Sequence, residues 1–202
     1  MSHLSIRLRM IIGMTLVGIA TLIMGAIYLE IDISERIDQV THERKQALQE
    51  RVAAEMQQKL LVVTSNAFAI SINEGIGEAL ASNNREAAKT VVSKIGESYR
   101  KFSDYRNVKM HLHTPDKVSF LRSWALDKFG DNLQAYRHTL TELGKTRKQL
   151  AAVEVGRNGL VLRGISPVFY QGEFVGSLEI IAGTGSISRK LAKEEMDYVQ
   201  LI

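Results

Sequence analysis

The chain has 202 residues, of which 45% are apolar and 24% are charged, and this mixture excludes a largely disordered polymer. Cysteine is absent, which excludes a disulfide framework, a thiolate metal site and a cysteine nucleophile. The formal net charge is +4, so the positions of the basic residues decide whether nucleic acid is a candidate partner.

The first element in the chain is an uncharged segment that predicts a transmembrane helix. Residues 10–29 contain no charged side chain, and a helix of this length, at about 1.5 Å per residue, crosses the roughly 30 Å hydrocarbon core. Arginines precede the segment and acidic residues follow it, so the positive-inside rule places residues 1–9 in the cytoplasm and the rest of the chain outside. We expect an uncleaved, single-pass anchor, with a cleaved signal peptide as the alternative.

The predicted anchor and the residues before it also account for half of the excess positive charge. Residues 1–29 contain two arginines and no acidic residue, so they hold two of the four excess positive charges. The remaining part, residues 30–202, is therefore nearly balanced, and it has no lysine- and arginine-rich run interleaved with aromatic residues. Such a chain lacks the electrostatic footprint of a nucleic-acid-binding protein, and we expect no nucleic-acid partner.

Residues 30–104 predict a long helix followed by a second helix. Apolar side chains recur at steps of three or four up to Ile70, which is the pattern of one long amphipathic helix. Arg44 and Arg51 fall on one of the two apolar positions of a heptad repeat, so a sustained coiled coil is not expected, although we do expect a homodimer. Asn83, in a polar turn, is the expected N-cap of the second helix.

Residues 105–185 change to the two-residue alternation of half-buried strands. A helix capped by Asp131 and ending near Arg147 is expected between the second and third strands, and a last helix is expected within residues 186–202. Hairpin turns and segregated helices together predict an α+β fold with a five-stranded antiparallel sheet. The expected strands cover residues 108–113, 118–124, 151–155, 160–168 and 174–181.

The alternation also predicts which polar side chains share a face of this sheet. His111 and His113 point to one side of the first strand, and Phe120, Arg122 and Trp124 share a side of the second. On the later strands, single charged residues alternate with apolar ones, and the connecting helix places an arginine inside its apolar stripe. These additional candidates are Glu154, Arg163 and Glu179 on the strands and Arg137 on the helix.

These residue types are suited to binding a small carboxylate or a zwitterion. The guanidinium groups of Arg122, Arg137 and Arg163 could hold a carboxylate, and a glutamate could accept an ammonium group. The alternative is that the same residues neutralise one another in buried ion pairs or form a solvated sheet face. The His-x-His pair could also bind a metal with Glu154 or Glu179 as a third ligand, but two histidines without further ligands nearby in sequence are weak evidence, so we expect no metal and no other cofactor.

Six parts of the chain carry a recognisable pattern: HLHTPD at 111–116, SFLRSW at 119–124, Gly130-Asp131 with Arg137, VEVGRNGL at 153–160, RGISPV at 163–168 and GSLE at 176–179. Together they resemble the extracytoplasmic double-Cache sensor modules of bacterial chemoreceptors and sensor kinases. The resemblance implies a PAS-like sheet whose ligand pocket reports to the membrane through flanking helices. It also implies a periplasmic sensor domain on an inner-membrane protein, as in methyl-accepting chemotaxis receptors.

The chain also departs from this family's pattern. Asn132 stands where such modules often have a second acidic residue after Gly130-Asp131. After residue 185 there is room only for one helix, residues 186–202, without the second sensory lobe, second membrane helix or signalling coiled coil of a complete receptor. We therefore expect the chain to be a truncated product or a piece of a longer receptor.

Two other classes of protein compete with a sensor. No phosphate-binding loop, dinucleotide fingerprint, nucleophile elbow or zinc-protease motif is complete in the sequence, so we expect no enzyme. A hydrolase assembled from the dispersed residues His113, Glu154 and Ser166 is the enzyme alternative, and turnover of a bound ligand would reveal it. A membrane-tethered dimerisation or interaction module is the other, and it differs from a sensor in not being stabilised by a small molecule.

Overall fold

The structure is a computed structural model that describes residues 5–105, 107–156 and 159–193. The chain divides into two compact units, Met1–Arg51 and Val52–Ile202. In the first unit the described residues are helical almost throughout, and the second unit contains a five-stranded antiparallel sheet with flanking helices. The expected α+β class is therefore confirmed.

The first helix, α1, covers Ile6–Ser71 and contributes to both units. Among the described residues it is the one helix long and apolar enough to cross a membrane. Its residues 10–29 are exposed on all sides, as a lipid-facing segment requires. Near its end, Val63, Ala67 and Ile70 are buried at helical spacing, which agrees with the predicted amphipathic pattern.

Two shorter helices follow, α2 at Glu74–Ala81 and α3 at Arg85–Phe102. Helix α2 was not predicted as a separate helix, and the predicted N-cap of α3 was wrong by one residue. Asn84 caps α3, since its backbone is extended and its side-chain oxygen accepts a hydrogen bond of 3.0 Å from the Ala87 N–H. Asn83 instead occupies the left-handed region with φ of 51°, which asparagine tolerates in a turn.

The five strands form one sheet in the order β2-β1-β5-β4-β3, and all pairs are antiparallel. This arrangement is the PAS-like sheet that the resemblance implied. The hairpin expected at Gln171-Gly172 is confirmed, and both residues have the positive φ of a type I′ turn. The other expected hairpin includes Arg157 and Asn158, which lie outside the described residues. The strands are β1 at Lys109–His113, β2 at Ser119–Arg122, β3 at Leu150–Gly156, β4 at Gly159–Tyr170 and β5 at Glu173–Gly183.

The predicted start of the fourth helix was wrong. Helix α4 covers only His138–Thr146, and Arg137 is its N-cap residue rather than part of its apolar stripe. Asp131 does not cap a helix, because its side chain accepts a hydrogen bond from Arg122 of β2 instead, and its carbonyl accepts one of 2.9 Å from the Ser119 N–H. The last helix, α5, covers Gly185–Lys193, and residues 194–202 of the expected C-terminal helix lie outside the described part.

Apolar side chains pack on both faces of the sheet. The larger cluster joins the end of α1, α2 and α3 to residues such as Met110, Leu121 and Leu178 on one face. On the other face, Leu140 and Leu143 of α4 pack with Ile165 of β4. This second cluster is small, so much of that face is left for polar side chains.

Candidate functional site

The register of the sheet places the predicted polar residues on the face that α4 partly covers. His111 lies opposite Glu179 on β5 and opposite Arg122 on β2, so these three side chains share a face. Ile165 also lies opposite Glu179, and Arg163 is two residues before it on β4. The predicted residues on β1, β2, β4 and β5 therefore converge on one side of the sheet.

Glu179 is the centre of a buried ion-pair network. Its side chain is fully buried, and its Oε1 accepts hydrogen bonds of 2.6 Å from Arg137 Nη2 and 2.9 Å from Arg163 Nη1. Its Oε2 accepts a longer one of 3.3 Å from Arg137 Nη1. His111 Nδ1 and His113 Nε2 lie 3.5 Å and 3.6 Å from the same Oε2.

Glu154 pairs with the same two arginines from the cleft side. Its Oε2 lies 3.1 Å from Arg137 Nε and 2.9 Å from Arg163 Nε, although neither Nε makes a hydrogen bond. Thr139, on α4, donates a hydrogen bond of 2.8 Å to Glu154 Oε1. Two arginines therefore face two glutamates, and the mutual neutralisation that the sequence left open as an alternative is present for these four residues.

Burial and the neighbouring charges determine the protonation states in this network. Burial lowers the pKa of His113 well below its ordinary value, and the adjacent His111 lowers it further. Burial also lowers the pKa of His111. For Glu179, burial raises the pKa, but the contact with His111 and the charge of Arg137 outweigh that effect and hold the pKa well below the usual range. At neutral pH the glutamate is charged and both imidazoles are neutral.

Arg122 and Trp124 stand at the edge of this network. Arg122 Nη2 donates a hydrogen bond of 2.5 Å to Asp131 Oδ2, and its Nη1 donates one of 2.8 Å to the Lys128 carbonyl. The Trp124 ring meets the His111 ring edge-on with 5.7 Å between centroids, and 43% of Trp124 is exposed. Trp124 therefore presents its indole to solvent at the mouth of a cleft.

This cleft has a volume of about 1270 Å³ and lies between the sheet face and the segment 124–138. Of the eight predicted site residues, His113 and Glu179 are not among its lining residues, because they are fully buried. The other six are brought together in its wall, namely His111, Arg122, Trp124, Arg137, Glu154 and Arg163. The cleft adds aromatic and charged residues that the sequence analysis did not select, including Asp127, Lys128, Phe129, Asp131 and Tyr136.

An arginine from the opposite layer holds the segment that walls this cleft. Arg85, at the start of α3, donates a hydrogen bond of 3.1 Å to the Phe120 carbonyl and another to the Leu126 carbonyl. Its guanidinium group also lies 3.8 Å from the centre of the Phe129 ring. Sequence alone gave no signal for this role, since the contacts join residues more than thirty positions apart.

The strand alternation failed at one place on β2. Phe120 was expected to share a side with Arg122, but it packs with Leu121 in the larger apolar cluster. The register between β1 and β2 shifts at Leu112/His113, so two residues of β2 follow one another without the usual alternation. The shift brings Ser119 opposite His113 and lets its hydroxyl lie 2.8 Å from His111 Nε2.

Comparison with known proteins identifies this arrangement. A family model described as the double sensory domain of two-component sensor kinases matches residues 39–199, which is well over half of the chain. The chain belongs to this double-Cache family. Membership confirms the resemblance and, with the apolar segment of α1, supports a membrane-anchored protein with an extracytoplasmic sensory domain. Comparison with curated protein sequences gives no match.

Two solved bacterial sensor domains share the fold at low sequence identity. The sensor domain of the Vibrio cholerae histidine kinase DctB superposes with a TM-score of 0.59 at 16% identity, over 75% of this chain and 59% of that one. The sensor domain of Escherichia coli DcuS superposes with a TM-score of 0.50 at 14% identity, over 70% of this chain and 98% of that one. The chain thus spans about three fifths of the DctB sensor domain.

Proposed function

We propose that the second unit binds a small molecule in the 1270 Å³ cleft and that the chain is the sensing part of a bacterial inner-membrane receptor. The observation that carries this proposal is the composition of the cleft wall. Aromatic side chains stand beside charged ones above a buried network of fixed geometry, which is how proteins orient small ligands. An interaction module without a small-molecule ligand would gain little stability from burying Arg137 and Glu179, because buried ion pairs are costly to desolvate.

The charge distribution favours a zwitterion, such as an amino acid, over a simple anion. Arg137 and Arg163 are already neutralised by Glu154 and Glu179, and Arg122 is paired with Asp131. A ligand carboxylate would therefore meet Arg122 at the cleft wall only by sharing it with Asp131. A ligand ammonium group would be offset by these same carboxylates, so a molecule that carries both charges suits the cleft best.

We further propose that α1 carries the signal toward the membrane in a homodimer whose N terminus is cytoplasmic. At Gly164 of β4 there is no room for a Cβ atom, because it would collide with the backbone of Val63 and Thr64 in α1. A ligand that favours one arrangement of the sheet would therefore change the packing of this helix directly. The same step would serve a chemoreceptor, as the sequence suggested, or a sensor kinase, as the family description suggests.

A thermal-shift screen tests ligand binding. The full chain in detergent micelles with EDTA is heated with single amino acids and small carboxylates. A compound at one hundred times its Kd adds about 2.7 kcal/mol to the free energy of unfolding. For a unit of this size that corresponds to a rise in Tm of roughly 5–10 °C. Absence of stabilisation by every compound would contradict a small-molecule sensor and favour the interaction module.

The screen needs one variant and one matched control. Arg122→Ala removes a cleft arginine and should abolish the rise in Tm, whereas Arg100→Ala, an exposed position on α3, should leave it unchanged. We also propose that the ligand is bound without turnover, so that mass spectrometry recovers the stabilising compound unaltered after prolonged incubation. A converted compound would point instead to the enzyme alternative.

A further inference from the structure

Three side chains below the cleft have the spacing of a metal site. His111, His113 and Glu179 each offer one ligand atom, and these atoms lie within 4.8 Å of one another. The two imidazole nitrogens that face Glu179 are 3.5 Å and 3.6 Å from its Oε2. Ligand atoms bound to one tetrahedral ion at about 2.0–2.2 Å lie roughly 3.3–3.6 Å from each other, so the spacing is close to that of a bound ion.

One of these atoms is buried without a partner. His113 is fully buried, and its Nε2 makes no hydrogen bond, although the nitrogen is directed toward Glu179. A buried polar atom without a partner costs about 1–3 kcal/mol. A metal ion between His113 Nε2 and the carboxylate would satisfy this atom.

The other nitrogen of each ring is held by a serine. His111 Nε2 lies 2.8 Å from Ser119 Oγ, and His113 Nδ1 lies 3.0 Å from Ser177 Oγ. Metal-binding histidines characteristically donate their second N–H to such a partner, which fixes the ring and its tautomer. Both rings therefore have the second contact that a metal ligand requires, and both serines are buried.

The charged groups around the site carry no net positive charge that would repel a cation. Arg137 and Arg163 make their short contacts to Glu179 Oε1, and both are balanced by Glu154 and Glu179, so the network has no net charge. At Oε2 the ion would replace two direct contacts, the 3.3 Å hydrogen bond from Arg137 Nη1 and the 3.5 Å contact with His111 Nδ1, and His111 would become a ligand instead. His111 also lines the cleft, which gives the ion a route to the site.

We propose that His111, His113 and Glu179 bind one divalent transition-metal ion of the Zn²⁺ class, with water as the fourth ligand. Imidazole nitrogen and carboxylate oxygen are ligands that Zn²⁺ accepts, and three protein ligands leave one position of a tetrahedral ion for a solvent molecule. Glu179 is far from the His-x-His pair in sequence, and only the pairing of β1 with β5 brings it opposite His111, so the sequence pattern did not favour a metal.

The test is a calorimetric titration with ZnCl₂ on the full, untagged chain in micelles after EDTA treatment and dialysis. The proposal predicts one Zn²⁺ per chain, at least tenfold weaker binding to His113→Gln, and unchanged binding to the matched control His42→Gln. His42 is an exposed histidine on α1, outside both the cluster and the cleft. No saturable binding to the unaltered chain, or equal affinity of His113→Gln, would overturn the proposal.

If His113→Gln does not fold, a second pair of variants tests the proposed metal site. Ser177→Ala and Ser119→Ala leave the three ligands in place but remove the groups that orient the rings, so each should weaken Zn²⁺ binding by roughly 10- to 100-fold. Unchanged affinity in both would overturn the site. The titration contains none of the amino acids or carboxylates of the ligand screen, so its failure is distinguishable from failure of that screen.

Discussion

The buried carboxylate of Glu179 is the feature whose loss should be most costly. Glu179→Gln keeps the size of the side chain but leaves Arg137 and Arg163 facing Glu154 alone. Removing one partner of a buried ion pair typically costs about 3–5 kcal/mol, because the remaining charge stays buried without compensation. At roughly 2–4 °C per kcal/mol for a unit of this size, the Tm should fall by about 6–20 °C.

Thermal unfolding of the full chain in micelles with EDTA, followed by circular dichroism, measures this loss. Asp131→Asn is the matched control, since it breaks the pair with Arg122 at a carboxylate whose side chain is 45% exposed. Exposed pairs contribute about 0–1 kcal/mol, so the Tm should fall by no more than about 4 °C. Equal losses for the two variants would refute the reasoning that burial makes the Glu179 pairs essential.

Three further predictions concern the packing of α1, the buried histidines and the cleft wall. Gly164→Ala should lower the Tm, because the new Cβ would meet the α1 backbone, whereas Gly144→Ala, in α4 with room for a Cβ, should raise the free energy of unfolding by about 0.5–1 kcal/mol; a neutral Gly164→Ala would contradict the close contact. With EDTA present, stability should fall between pH 6.5 and 5.5, because the pKa of His113 is lowered in the fold and only the unfolded chain binds the proton. The loss over this pH unit is about 1 kcal/mol for such a group and steepens toward about 1.4 kcal/mol per pH unit at lower pH, and a flat profile would contradict burial of a neutral imidazole beside His111, Glu179, Arg137 and Arg163. Arg85→Met should speed tryptic cleavage after Lys128, because the segment loses the hydrogen bonds from Arg85, while Arg100→Met should not; equal rates would show that Arg85 does not hold the segment.

Much of the fold could be predicted because hydrophobic periodicity is a local signal. The apolar residues 10–29, the spacing up to Ile70 and the alternation of five strands each correspond to an element of the structure. The start of α4 could not be predicted, because Asp131 is a good capping residue that the edge of β2 recruits instead. Such competition between local propensity and tertiary contact is not visible in sequence.

The residues of the candidate site could be predicted from the sequence, but not all of the contacts between them. Charged residues alternating with apolar ones identified Glu154, Arg163 and Glu179, because a charge on a strand beside a core must face solvent or a partner. Which groups are partners depends on strand register, and the hairpin turns specify only neighbouring strands. The pairing of β1 with β5, which creates the contacts between Glu179 and the two histidines, is long-range and could not be read from the sequence.

Binding of a small molecule in the cleft is the central claim, and the single tryptophan of the chain reports on it directly. Trp124 lies in the cleft wall, 43% exposed, so a bound molecule must change its surroundings. We predict that titration of a stabilising compound changes the Trp124 emission saturably with one site per chain. Tyr136→Ala, at the same wall, should weaken this binding at least tenfold. A compound that raises the Tm while leaving the Trp124 emission unchanged would contradict binding in this cleft.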